Sequence, residues 1–209
     1  MSVICPTITA KNSHDYRKQL ERVTKFAKRI HLDFADEEFT SVKLLDLDQA
    51  WCPEDVVVDI HLMFKNPAEK LTDAIKLQPN LVIMQAESDC NFRAVASRLK
   101  EAGIKVGIAI LPQSSVAVIT PALAVIDHVL IFSGHLGHYG GRANLSLLGK
   151  ISEIKEIKPE IEIGWDGGIN DQNVRTLAVN GVDVLNVGSF IQRATDPEAA
   201  YQQLTDIVS

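Results

Sequence analysis

The chain has 209 residues, 46% hydrophobic and 23% charged. That balance excludes intrinsic disorder and supplies enough apolar mass for a core. A formal net charge of −6 argues against nucleic acid as a partner, because phosphate backbones demand a basic face. No apolar run approaches the roughly 18–20 residues that cross a bilayer, so no membrane partner is expected. The opening MSVICPTITAKNSHDY lacks a basic start and a long apolar stretch. It does not read as a signal peptide, and a cytoplasmic location is expected. Cys5, Cys52 and Cys90 are odd in number and widely spaced, which gives no disulfide framework and no thiolate zinc motif.

Short apolar, β-branched runs recur along the chain at 3–5, 30–34, 56–62, 81–84, 106–111, 128–132, 161–165 and 182–187. Segments of helical period lie between or after them, at 14–28, 67–76, 92–102, 145–157, 173–179 and 197–208. Phe92, Val95, Ala96 and Leu99 form one such stripe. The stretch 43–51 must serve as a second helix with little length. Strands buried on both faces, alternating with amphipathic helices, mean a parallel sheet. Eight units of about 26 residues match a minimal (β/α)8 barrel, and no linker divides the chain, so residues 1–209 read as a single (β/α)8 TIM barrel domain. A doubly wound sheet would place GxGxxG after the first strand. Here that strand runs into Pro6-Thr7-Ile8-Thr9, and the glycine pairs fall late.

In such a barrel the strand ends point polar side chains into the active-site mouth. His31 and Asp33 are two apart and so share a face, as do Asp59 and His61. The seventh strand ends in Trp165-Asp166-Gly167-Gly168. Taken singly, a strand histidine is ordinarily a satisfied core residue, and a strand-end aspartate a helix cap. Together, these residues on three strands point to a divalent-metal site. Gly140-Gly141, Gly167-Gly168 and Gly188-Ser189 supply backbone N–H groups unobstructed by Cβ atoms, which suits a phosphate cradle. Gly188-Ser189 is read as opening the last helix.

These motifs resemble the ribulose-phosphate 3-epimerase family over nearly the whole chain. The segment 30–36 is similar to its H-V/I-D-x-M-D strand, and Asp59-Ile-His-Leu-Met63, followed by Asn66-Pro67, to its D-x-H-L-M…P segment. Asp166-Gly-Gly-Ile-Asn170 matches V-D-G-G-I-N, and Gly188-Ser189 the terminal G-S. The resemblance implies metal ligands at His31, Asp33, His61 and Asp166, with Asp33 and Asp166 as the acid–base pair. Substrate and phosphate contacts are implied at Thr7, His61, His138, Tyr139, Gly140, Gly141, Gly167, Gly168, Gly188 and Ser189. The implied cofactor is one divalent cation (zinc, iron, manganese or cobalt). The implied partners are a phosphorylated ketose and further copies of the chain in a homo-oligomer. The implied reaction is inversion at C3 of a ketose phosphate, D-ribulose 5-phosphate to D-xylulose 5-phosphate, as in the pentose phosphate pathway. It would proceed by proton transfer through a metal-stabilised enediolate. Epimerisation of a hexulose 6-phosphate, or a silent barrel that binds a sugar phosphate or a protein, are the alternatives.

Several positions depart from the family pattern. Ala35 stands where the family has Met, Glu37 and Glu38 replace its G-H, and Gln85 replaces the His of H-V-E, with Glu87 kept. The segment 135–141 replaces N-P-G-F-G-G with one extra residue. Glu37 and Glu38 are expected to make the mouth wetter or narrower. His135 and Arg142 are expected near the substrate or in solvent.

Overall fold

In the computed structural model, which describes residues 2–209, the β-branched runs form eight strands. They are β1 (Val3–Thr9), β2 (Arg29–Ala35), β3 (Val57–Met63), β4 (Leu81–Gln85), β5 (Lys105–Ile110), β6 (His128–Phe132), β7 (Glu162–Asp166) and β8 (Val184–Val187). Every neighbouring pair is parallel, and β8 closes on β1 with Val3 opposite Val184, giving a complete barrel in chain order. Closure removes both sheet edges, so each backbone ladder is paired on two sides.

The helices are α1 (Ser13–Val23), α2 (Leu71–Lys76), α3 (Phe92–Glu101), α4 (Gly149–Ile157), α5 (Val174–Val179), α6 (Ser189–Gln192) and α7 (Pro197–Val208). Side-chain caps fix three of their starts: Asn12 accepts from the Asp15 N–H, Asn91 from Ala94 and Asp196 from Ala199. Each satisfies a backbone donor that a helix start leaves free. Val95, Ala96 and Leu99 of α3 are buried, as the stripe requires. No helix among the described residues is long and apolar enough to cross a membrane.

Two connections differ from the regular pattern. Only a 3-10 turn, Leu47–Gln49, follows β2. Leu44, Leu45 and Leu47 are buried there without an α-helix, and Tyr16 ties the segment down by donating its hydroxyl to the Trp51 carbonyl at 2.7 Å. After β5 the chain makes two 3-10 helices, Val116–Val118 and Thr120–Val125. Pro121 removes a backbone donor there, which an α-helix would need. A further correction concerns Gly188-Ser189: they open the short α6, and the last helix is α7.

Inside the barrel, alternate residues of each strand form layers. Leu81, Ile83, Ala109 and Leu130 make one compact apolar patch. The rest of the interior is unusually polar, holding Thr7, His31, Asp33, Asp59, His61, Gln85, His128, Asp166 and Asn186. Polar side chains this deep need partners or a task.

Candidate metal centre

The register of β2 against β3 sets Asp33 beside His61 and His31 beside Asp59. Period two along β2 turns His31 and Asp33 to the same inner face, and β7 brings Asp166 in at its C-terminal end. Asp33 Oδ1 lies 3.2 Å from His31 Nε2 and 3.2 Å from His61 Nδ1. His31 Nε2 is 3.8 Å from Asp166 Oδ2, and the two imidazole rings are 5.5 Å apart. One nitrogen or oxygen from each of the four side chains falls within 4.8 Å of the others. Both imidazoles are fully buried.

These contacts separate the two carboxyl groups. Burial pushes Asp166 up, the nearby Asp33 charge adds to it, and His31 only partly offsets them, leaving Asp166 at about 7. Burial works the same way on Asp33, but the contacts from His31 and His61 outweigh it and hold Asp33 well below the usual carboxylate range. For His31, burial pulls the pKa down, and the Asp33 and Asp166 carboxylates reverse the sign. His61 is lowered, burial being stronger than its contact with Asp33.

The donor set fits a divalent cation. His31 has no exposed surface, its Nδ1 has no hydrogen-bond partner, and its Nε2 faces only the carboxylate oxygens of Asp33 and Asp166 at 3.2 and 3.8 Å, outside good hydrogen-bond geometry. Such an orphan costs about 1–3 kcal/mol, and a cation at the cluster takes up its lone pair. Two imidazole nitrogens and two carboxylate oxygens suit zinc, iron, manganese or cobalt.

Around the cluster, Thr7, Asp33, Met63, Phe132, Asp166 and Asn186 line a pocket that opens upward among the late loops. His138, Tyr139, Gly140, Gly167, Gly168, Gly188 and Ser189 line its rim. Gly141 and Arg142 stand outside that lining, both exposed, and His61 lies behind it. A Cβ on Gly167 would sit 2.3 Å from the Gly134 nitrogen, and one on Gly168 2.1 Å from the Ala143 nitrogen. Both also have positive φ, so these glycines let the loop after β6 close onto the β7 turn. Gly140, by contrast, faces open space.

Tyr139 holds that loop down. Its ring would meet a Cβ on Gly188 at 2.7 Å. Its hydroxyl accepts from the Thr9 N–H at 2.8 Å and lies against the Thr7 carbonyl and the Gln19 side-chain oxygen. His138 reaches Ser41 at 3.3 Å, and His135 is exposed at the rim. The expectation for Glu37 and Glu38 is corrected: they line a separate surface cleft with Lys43 and Lys65. Ala35, Leu44 and Met63 pack together where the family Met is missing, with Phe39 and Leu136 against them.

Three polar neighbours of the cluster were given no role by the sequence reading, although Gln85 stood out there as a departure from the family pattern. Thr9 Oγ1 donates to Asp33 Oδ2 at 2.7 Å and fixes the second carboxylate oxygen. Gln85 lies 2.9 Å from His61 Nε2. Asn186 presents a buried amide with neither end partnered. The signal was present as parity: each is a polar residue at an inward position of an otherwise apolar strand.

The family model for ribulose-phosphate 3-epimerases matches residues 3–192. The chain belongs to the ribulose-phosphate 3-epimerase family. The ribulose-phosphate 3-epimerase of Helicobacter pylori strain J99 is 27% identical over 212 residues, spanning 98% of this chain and 97% of that protein. That of Aquifex aeolicus is 30% identical over 155 residues, 72% of this chain and 70% of the relative. Family membership places the chain among isomerases that act on carbohydrates. Among solved structures, 3-hexulose-6-phosphate synthase from Salmonella typhimurium superposes with a TM-score of 0.74 at 16% identity, covering 99% of this chain and 98% of that one. The 3-keto-L-gulonate-6-phosphate decarboxylase from Vibrio cholerae gives 0.75 at 11% identity, over 99% and 97%. These two share the barrel.

Proposed function

We propose that this chain inverts C3 of a ketose phosphate, D-ribulose 5-phosphate to D-xylulose 5-phosphate, with Asp33 and Asp166 as the two proton-transfer groups. The observation that carries this reading is that both carboxyl groups line one pocket and join the same pair of imidazoles, in a chain of the epimerase family. Inversion needs one group to take a proton from one face of the carbon and another to return a proton to the opposite face. The two carboxyl groups sit in unlike surroundings, Asp33 among imidazoles that favour its ionised form and Asp166 where burial opposes it, an asymmetry that suits a pair passing protons in opposite senses. For the other epimer the roles exchange.

His31, Asp33, His61 and Asp166 would hold one divalent cation, of zinc, iron, manganese or cobalt. When bound, it supplies Lewis-acid stabilisation of negative charge on the sugar oxygens, worth about several kcal/mol. The chain's own residues do the rest. Thr9 fixes Asp33 by donating to its outer oxygen, so that the base does not swing. Thr7, with a buried hydroxyl that has no partner, is placed to meet a sugar oxygen. His138, Tyr139, Gly140, Gly167, Gly168, Gly188 and Ser189 would make the phosphate end, gripping the remote group so that C3 lies between the carboxylates, with Gly141 at its outer edge. Met63 and Phe132 exclude water from that position. The protein would work as one barrel domain per chain, in the cytoplasm and as a homo-oligomer.

The test is solvent exchange. Incubating D-ribulose 5-phosphate with the protein in D2O is expected to place deuterium at C3 and to form D-xylulose 5-phosphate. Exchange with a hexulose 6-phosphate alone would move the assignment to that substrate. No exchange with either, in metal-loaded protein, would leave a silent barrel.

A further inference from the structure

We propose that Gln85 is a positioning residue of the metal centre: its side-chain oxygen takes the proton on His61 Nε2 and so leaves Nδ1 free to bind the cation. This rests on the metal reading above and adds to it a residue that sets the state of one ligand.

The argument begins with which nitrogen of His61 faces the cluster. Nδ1 lies 3.2 Å from Asp33 Oδ1, on the side shared with His31 and Asp166. Nε2 points the other way, where the Gln85 side-chain amide stands with its nitrogen 2.9 Å away. A neutral imidazole carries one proton, and the nitrogen that binds a cation cannot be the one that holds it. With Nδ1 used as ligand, the proton must sit on Nε2. His61 has no exposed surface and Gln85 only 2%, so water does not receive that proton's hydrogen bond.

Gln85 is the side chain in contact there, and only its carbonyl end can accept. That end, Oε1, is buried and in this orientation has no hydrogen-bond partner, so exchanging the two ends satisfies it. The amide nitrogen, the other end, serves only the opposite tautomer, in which the His61 proton points at Asp33 and Nδ1 is no ligand. Half a turn about the last side-chain torsion exchanges the two ends without moving any other atom. Glu87, two residues on, does not compete: it already accepts from the Leu111 N–H and the Ser114 hydroxyl. Ligating histidines elsewhere commonly give their second proton to an oxygen acceptor, which fixes ring and tautomer. Here an amide does so, at the family position usually held by His.

The test uses metal-stripped full-length protein titrated with Co2+, read by its visible absorption and by chelator competition. The wild type is expected to take one ion per chain. Gln85→Met keeps the size and loses the acceptor, and its affinity should fall by about 10- to 100-fold. Gln85→Glu keeps an acceptor and should bind at least as tightly as the wild type. A long-range ¹H–¹⁵N spectrum of zinc-loaded wild type should show the His61 proton on Nε2. Wild-type affinity in Gln85→Met, equal losses in Met and Glu variants, or a His61 proton on Nδ1 in the loaded protein would each overturn the proposal. A wild type that binds no Co2+ would instead overturn the metal reading itself.

Discussion

The two ends of the barrel interior both bury charge, and they treat it differently. At the bottom, Arg29 bridges Asp59 at 2.6 Å and grips Glu162 through two nitrogens at 2.8 and 2.9 Å. His128 adds a contact to Glu162 at 2.7 Å, and Asn80 donates to the second oxygen of Asp59 at 3.1 Å. Arg29 lies between two carboxylates and holds one of them, Glu162, in bidentate geometry, as a stabilising network requires. Two residues higher on β2 and β3, His31, Asp33 and His61 meet Asp166 with no lysine or arginine among them. His31 is left without a well-formed hydrogen bond, and the two carboxyl groups sit in unlike surroundings. The lower cluster is organised around a guanidinium. The upper one has none and carries the perturbed carboxyl group at the C-terminal mouth of the barrel, where a working site is expected.

The contrast can be broken from either side. The largest effect is expected at the top: Asp33→Asn and Asp166→Asn should each lower kcat/KM for the ketose phosphate by about 10³-fold or more. Asp166→Asn should melt no lower than the wild type, because burial already opposes the charge on that carboxyl group, whereas Asp33→Asn gives up the contacts with His31 and His61 and should melt lower while still folding. Steady-state kinetics beside thermal unfolding checks this, and a loss of folding with the activity would contradict it. Below, the reverse pattern should hold. Arg29→Met strands Asp59 and Glu162 and should destabilise the fold by about 3 kcal/mol, read by urea unfolding, while metal content per folded chain stays unchanged.

Acid should sharpen the same distinction. Burial raises the Glu162 pKa, but Arg29 and His128 outweigh it and hold the group below its ordinary value. A depressed folded pKa gives stability that is present above the unfolded value, about 4.3, and lost as pH falls through the folded one. Unfolding free energy should therefore drop below about pH 4, and Glu162→Gln should flatten that limb. The drop should be modest, because the Glu162 side chain is 36% exposed and solvent screens the contacts. The smallest expected effect is at the rim. Tyr139→Phe keeps the ring on Gly188 but loses the hydroxyl contact with the Thr9 N–H, which should cost about 1 kcal/mol of stability and raise KM more than it lowers kcat.

The barrel was legible in sequence because the strands are short, mostly apolar runs and each long helix carries a separate stripe, although β1 continues past the expected 3–5 to Thr9. Runs such as 128–132 coincide with the strand to the residue. The connections after β2 and β5 were not, since their leucines and valines cover the core without helical period and Pro121 interrupts the second. In the site, alternation along one strand told which way a side chain points but not how deep it lies. Asp59 shares the face of His61, yet it sits one layer lower, bound to Arg29. Thr9 and Gln85 are read only through register: their partners are 24 residues away on a neighbouring strand, a relation no local pattern contains.

The most direct measurement is metal analysis of the purified protein and two variants. One divalent ion per chain is predicted for the wild type and for Arg29→Met, and none for His31→Ala. Wild-type protein that stays metal-free after exposure to zinc, iron, manganese and cobalt salts, or His31→Ala that keeps its ion, would contradict the account.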